Sequence, residues 1–284
     1  MLNKNKFFRF LLFMAVLLFL QTESAAQTVY TSPSLFVSYG DYSTGRTSSG
    51  TEFFLPVTFN GQYTIGGGFS SVLLKESDWE YQQTLIPLNA GYFSYPWQGR
   101  ISYASLTGKY DYKQAAGYNY KDKGNIFSGE IHYWDNYDNF GLHYAYHEYK
   151  GILTSDSLRQ LTVQQIQARY EFVIIPELYL SLRPGASLLS DDRNLYYFGA
   201  KLHYFPLPEL IIRTGGFVGK RAYYFDNDTF TLFNQYATQK SQVFIQAEYF
   251  PMLNLKLTAG FQTTRFEGYN INYIYGGVSI PVLF

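Results

Sequence analysis

From Gln165 to Ile174 the chain alternates without a break. Ile166, Ala168, Tyr170, Phe172 and Ile174 hold one parity, and Gln165, Gln167, Arg169, Glu171 and Val173 hold the other. A period of two places these sets on opposite faces of an extended strand. The pattern recurs: Leu178, Leu180 and Leu182, then Tyr196, Phe198, Ala200 and Leu202, then Leu255, Leu257, Ala259 and Phe261, are each interleaved with more polar residues. Segments of roughly ten residues repeat about fourteen times, the length a tilted strand needs to cross bilayer hydrocarbon. Compact turns near positions 60, 96, 137, 176, 207 and 252 alternate strictly with longer, more polar stretches such as 43–50, 113–124 and 151–160. An even number of strands returns both ends of the chain to one side.

A soluble propeller also repeats at about 40 residues, but a blade needs four short strands, and each repeat here offers two long ones. A barrel of about fourteen strands encloses a lumen too wide for side chains to fill. The mixed face is therefore expected to line the lumen, and the apolar face to meet lipid. Tyr and Phe number 29 and 25 in 284 residues, and many fall at strand ends. Tyr92, Tyr95, Trp97, Tyr133 and Tyr249 lie by the compact turns; Tyr42, Tyr81, Tyr149, Tyr196 and Tyr223 lie by the longer stretches. Two such rows are expected to be girdles at the two membrane interfaces. No loop looks long enough to fold deep into the barrel, so no separate constriction is expected.

Lys4, Lys6 and Arg9 precede an apolar run over 10–20, followed by small residues at Ser24 and Ala26. This is the pattern of a cleaved secretory signal peptide over 1–26, leaving 27–284 as one barrel domain. In the last strand Ile274, Val278, Ile280, Val282 and Phe284 share the apolar parity, with Tyr275, Gly277, Ser279 and Leu283 on the other. That strand is expected to pair with the first, over 35–42, because an open edge in lipid leaves backbone groups unsatisfied. A strand ending Ile280-Pro281-Val282-Leu283-Phe284 resembles the signal that marks bacterial outer-membrane β-barrels of porin-like type. The resemblance implies a place in the outer-membrane lipid of a Gram-negative envelope, and recognition of Phe284, Val282 and Ile280 by the barrel-assembly machinery.

The chain has no cysteine and a formal net charge of zero. Disulfides and thiolate chemistry are excluded, and so is the basic surface that a nucleic acid needs. The charged residues of inward parity in the later strands are Arg169, Glu171, Arg183, Lys201, Arg213, Glu248 and Lys256. A charge facing lipid at the midplane costs about 2–4 kcal/mol, so these are expected to line the lumen, either attracting anionic solutes or bracing the barrel as ion pairs. Three of the four histidines fall in one hairpin, His132 on its first strand and His143 and His147 on its second, with the inward parity of Glu130. A turn centred near Tyr137 would set His132 opposite or nearly opposite His143, an arrangement able to bind a divalent metal or relay protons. Polar residues in a wet lumen would look the same, and no metal is assigned. Asp226-Asn227-Asp228 lacks the glycine and late glutamate of a calcium loop.

The sequence thus describes an all-β, transmembrane, antiparallel up-and-down barrel after a signal peptide. It reads as a pore or passive channel for small solutes, with no catalytic residue and no cofactor. The alternatives are a non-conducting barrel that anchors envelope or secretion partners, and an outer-membrane lipid hydrolase. The hydrolase would need a nucleophile near the histidines. Ser128 has the parity to face His147, but both are expected inside, away from acyl chains.

Overall fold

The computed structural model describes residues 28–112, 120–153 and 158–284. The signal peptide expected over 1–26 lies outside the described residues, as do 113–119 and 154–157 within two of the expected loops. The alternating segments are strands. In chain order they are β1 (Val29–Thr31), β2 (Ser34–Tyr42), β3 (Thr47–Phe59), β4 (Tyr63–Lys75), β5 (Trp79–Ser94), β6 (Trp97–Tyr112), β7 (Tyr120–Asp135), β8 (Asp138–Leu153) and β9 (Leu158–Ile175). There follow β10 (Leu178–Leu189), β11 (Asn194–Leu207), β12 (Leu210–Arg221), β13 (Tyr224–Asp226), β14 (Thr231–Phe233), β15 (Gln239–Met252), β16 (Leu255–Phe266), β17 (Asn270–Ser279) and β18 (Val282–Leu283).

All but β13 and β14 form one antiparallel sheet. Pro33 and Pro281 have no amide N–H to give a ladder. They separate β1 from β2 and β17 from β18, so each pair is one interrupted strand. Counted this way, the sheet is a closed barrel of fourteen strands. Closure runs through β2, which pairs with β3 on one side and β17 on the other. Ser279 lies directly across from Ser34, and their hydroxyls are hydrogen-bonded at 2.8 Å. Beyond the prolines, Leu283 faces Tyr30, and the Phe284 N–H donates to the Val29 carbonyl at 2.8 Å. The pairing of last strand with first therefore stands as the alternation required.

The two faces separate as the parity indicates. Ile101, Val243 and Ile274 are each more than half exposed on the outside, while Gln165, Thr264 and Ser279 of the opposite parity are buried. On the outer face of β6 the residues run from Trp97 and Ile101 near the compact turn to Thr107 and Lys109 at the far end. On β7 they run from Tyr133, Ile131 and Phe127 to Lys123 and Lys121. Strands of up to 18 residues, rising about 3.3 Å each, reach well past the roughly 25 Å apolar band of such barrels. Polar stretches expected to be loop are accordingly paired strand in part. Thr47 to Gly50 pair with β2, Lys121 and Lys123 pair with Lys109 and Thr107, and Gln160 pairs with Lys150. The ladder continues where the outer face has turned hydrophilic, because backbone pairing does not need an apolar side chain.

One further expectation is sharpened and one is corrected. The β7–β8 turn is the dipeptide Asn136-Tyr137, with Asn136 at φ 54° and Asp135 across from Asp138. This register puts His143 opposite Glu130 and His132 opposite Gly141, so the two histidines are diagonal neighbours, nearly opposite rather than directly paired. The aromatic row by the compact turns is exposed, with Tyr95, Trp97, Tyr137 and Tyr249 each at least half accessible. The opposite row is mostly not a girdle: Tyr42, Tyr81, Tyr149 and Tyr223 are buried inside the barrel.

Candidate functional site

What buries those tyrosines is the connection between β12 and β15. Residues 222–238 fold back into the lumen as a short hairpin, β13 against β14, with Asp226 across from Thr231. The expectation that no loop reaches deep into the barrel is thereby overturned. The cause is composition: Ala222, Tyr223, Phe225, Phe230 and Leu232 are too apolar to stay in water. They pack on Leu85, Ala104, Leu106, Ile126 and Val163, inward residues of β5, β6, β7 and β9 that are buried in the same cluster. Phe230 stacks on Phe54 at 5.0 Å between ring centroids, and Tyr223 lies against Tyr149 at 5.1 Å. Gln165 fixes the segment by its backbone, donating to the Phe225 carbonyl at 3.0 Å and accepting the Phe225 N–H at 3.1 Å.

The tip of the segment is polar, and it lands among the charged residues picked out by parity. Asp228 accepts from Arg169 at 2.5 Å and from Lys201 at 3.2 Å, bonds Arg183 as well, and has Arg100 within 3.9 Å. Glu171 takes the other side of Arg183 at 3.2 Å. The Asn227 amide donates to Glu130 at 2.7 Å, and the Asn227 carbonyl oxygen accepts from Ser102 at 3.1 Å and Ser128 at 3.2 Å. Glu130 is held in turn by Arg100 at 2.7 Å. Asp226 turns the chain by accepting the Asp228 N–H at 3.0 Å, the local turn that aspartate favours. Burial would raise the Asp228 carboxyl, but Arg183, then Arg169 and Lys201, overcome it and hold the group well below the usual carboxylate range.

At the root, Arg221 joins the two strands that flank the segment. It donates to Gln239 at 2.6 Å and to Gln242 at 2.8 Å, and its guanidinium lies 3.7 Å from the Phe217 ring centroid and 3.8 Å from that of Tyr224. Such cation–π contacts contribute roughly 2 kcal/mol when water is excluded. Arg221, Gln165 and Asn227 were not among the expected site residues. Arg221 alone had a signal, an inward cation at the end of a strand.

The remaining expected residues fall into two groups. Glu248 gathers Arg213 at 2.5 Å and Lys256 at 3.6 Å on the opposite wall. The histidines are buried beside the segment. His132 bonds Asn139 at 2.8 Å and lies 3.5 Å from Glu130, and His147 bonds the Tyr149 hydroxyl at 3.1 Å. Ser128 lies opposite Ala145, and His147 lies opposite Ile126. Among the described residues no three His, Asp or Glu side chains gather as a metal site. At the barrel's edge Val282 lies across from Thr31, and Ile280 and Phe284 are exposed, 47% and 76%.

Between the inserted segment and the barrel wall, chiefly β2, β3, β4, β12, β15, β16 and β17 with contributions from β5, β6, β7, β9, β10 and β11, lies a cavity of about 1040 Å³. Its lining mixes aromatic rings, including Phe36, Phe54, Tyr273 and Tyr275, with Glu52, Gln242, Gln246 and the Glu248 cluster.

No protein-family model matches the chain, and no curated protein matches it in sequence. Solved structures do match in three dimensions. The monoaromatic hydrocarbon channel CymD superposes with a TM-score of 0.59 at 8% identity, covering 91% of this chain and 88% of that one. The toluene transporter TodX of P. putida gives 0.55 at 8% identity over 93% and 91%. A loop-deleted OmpT, an outer membrane protein of Vibrio cholerae, gives 0.52 at 8% identity over 91% and 100%. The chain has the fold of an outer-membrane β-barrel. At these identities the likeness is one of fold, and the inward segment over 222–238 rests on this chain's own contacts.

Proposed function

We propose that this barrel is a passive outer-membrane channel for small solutes, closed in the present conformation by segment 222–238. The observation that carries the reading is the cavity of about 1040 Å³ beside a segment whose tip is fixed by charge pairs. Side chains of the wall alone do not fill so wide a lumen, and an occluding piece tied by ion pairs and hydrogen bonds can be released without disturbing the ladder. Arg169, Glu171, Arg183, Lys201 and Glu130 are then the latch of the passage, with Arg213, Glu248 and Lys256 on its other wall. His132, His143 and His147 serve as buried polar partners rather than as ligands. That two of the fold neighbours are described as hydrocarbon channel and toluene transporter is in keeping with this reading.

Export by the segment 1–26 and recognition of Ile280, Val282 and Phe284 by the barrel-assembly machinery belong to the same proposal, since a barrel of this fold must reach the outer membrane unfolded. No reaction is assigned. The test is single-channel recording in a planar bilayer, comparing the wild type with Asp228→Asn and with a variant in which 224–233 is replaced by a short Gly-Ser linker. Rare openings in the wild type and long-lived steps in both variants are expected. Absence of stepwise current from all three would leave the non-conducting, partner-anchoring barrel.

A further inference from the structure

The charges around the cavity do not cancel locally. Every arginine and lysine that lines it is engaged: Arg46 by Glu76, Arg213 and Lys256 by Glu248, Arg169, Arg183 and Lys201 by Asp228, and Arg221 by two glutamines. Two of the acids lining it have no basic partner among the described residues. Asp122 is sealed in the wall, 5% exposed, and takes the Tyr81 hydroxyl at 2.9 Å. Glu52 is different. It sits midway along β3 with inward parity, and its contact is the Ser70 hydroxyl at 3.5 Å, a long and weak bond. Phe36 lies directly across from it on β2, and Phe54 follows it on the same face of β3. All three face the cavity.

A carboxylate without a cation, between two phenyl rings in a half-apolar cavity, has the chemistry that recognises an organic ammonium. The carboxylate accepts the ammonium hydrogens, the ring faces attract the charge, and the cavity takes the apolar body. We infer that this cavity is a binding site for small amphipathic cations, aryl- or alkylamines, with Glu52 as the anionic anchor. This names the solute class of the channel proposed above and rests on that reading, but binding and conduction are measured separately.

The test is calorimetric titration of the full-length protein in detergent with 2-phenylethylammonium and, as a neutral isostere, 2-phenylethanol. A hydrogen bond to a charged group contributes roughly 1.5–3 kcal/mol, so the wild type is expected to bind the amine at least about ten-fold more tightly than the alcohol. Glu52→Gln keeps the shape and removes the charge, and it should bring the two affinities together. Running the same pair on Asp228→Asn, with the neighbouring segment loosened, prevents a closed entrance from hiding the site. Equal affinity for amine and alcohol in both proteins, no binding in either, or a preference that survives Glu52→Gln would each overturn the inference. A barrel that conducts without this preference keeps the channel and loses the site. One that shows the preference but passes no current keeps the site and loses the channel.

Discussion

Asp228 carries more of the closed state than any other single residue. Its carboxylate answers Arg169, Arg183 and Lys201 at once, and removing it leaves those three cations only Glu171 and Asp226 to share. Breaking a buried pair in this way costs roughly 3–5 kcal/mol, and the partial exposure of Asp228, 24%, points to the lower end. A spin label at Thr229→Cys should be immobile in the parent and mobile when combined with Asp228→Asn, while the barrel's circular dichroism is unchanged. The pH dependence has a definite sign. Because the folded carboxyl titrates below its ordinary value, the tie is fully present above the unfolded value of about 4. It is lost only as the pH falls through the lower folded value. The label should therefore stay immobile from neutrality down to about pH 4 and be freed in stronger acid, and release on mild acidification near pH 6 would point to another group.

Two elements show what a sequence pattern can and cannot carry. In the β7–β8 hairpin the parity of Glu130, His132, His143 and His147 was legible, because a period of two needs only the order of residues. The exact partnering was not: a turn centred between Asn136 and Tyr137 puts Glu130 directly opposite His143 and leaves His132 on the diagonal. Segment 222–238 has no strand period and reads as loop between two strands. Its signal lay elsewhere, in an excess of buried aromatic residues and in the inward parity of β5, β6, β7 and β9 turning apolar at Leu85, Leu106, Ile126 and Val163. An apolar patch inside a wide lumen demands something to pack on it. Phe225, 1% exposed at the centre of that contact, should be the element's anchor. Truncating a buried Phe to Ala costs about 3–5 kcal/mol. Phe225→Ala should thus raise hydrogen exchange across 222–238 while leaving the barrel strands protected, since their ladder does not pass through the hairpin.

At the scale of the molecule, the polar outer faces of β6 and β7 at Lys109, Lys121 and Lys123 set that end beyond the apolar band. A single cysteine at Asp191 should then be labelled by an impermeant maleimide on intact cells, and one at Asn254 only after the outer membrane is opened. The deeper claim is closure, on which lumen, cavity and latch all depend. Open edges in lipid would strand the amides of β2 and β17 without partners, each at several kcal/mol, and the register that prevents it is specific. Ser34 faces Ser279 with hydroxyls at 2.8 Å, and the Ile280 N–H donates to the Pro33 carbonyl at 3.0 Å. Directly opposed residues in an antiparallel pair lie about 4.5–5.5 Å apart at Cα, within the range a disulfide spans. The chain has no cysteine of its own, so a bond formed in Ser34→Cys with Ser279→Cys can only be this one. Mild oxidation in membranes should join the two positions and yield, after boiling without reductant, a species of altered gel mobility that reductant reverses. Shifting one partner by one residue, to Val278→Cys, or by two, to Gly277→Cys, should abolish or sharply reduce it. A pair that stays free under oxidant while the shifted variants cross-link would place a different register at the seam. With it would go the facing of Glu52, Arg213 and Glu248 into one shared lumen.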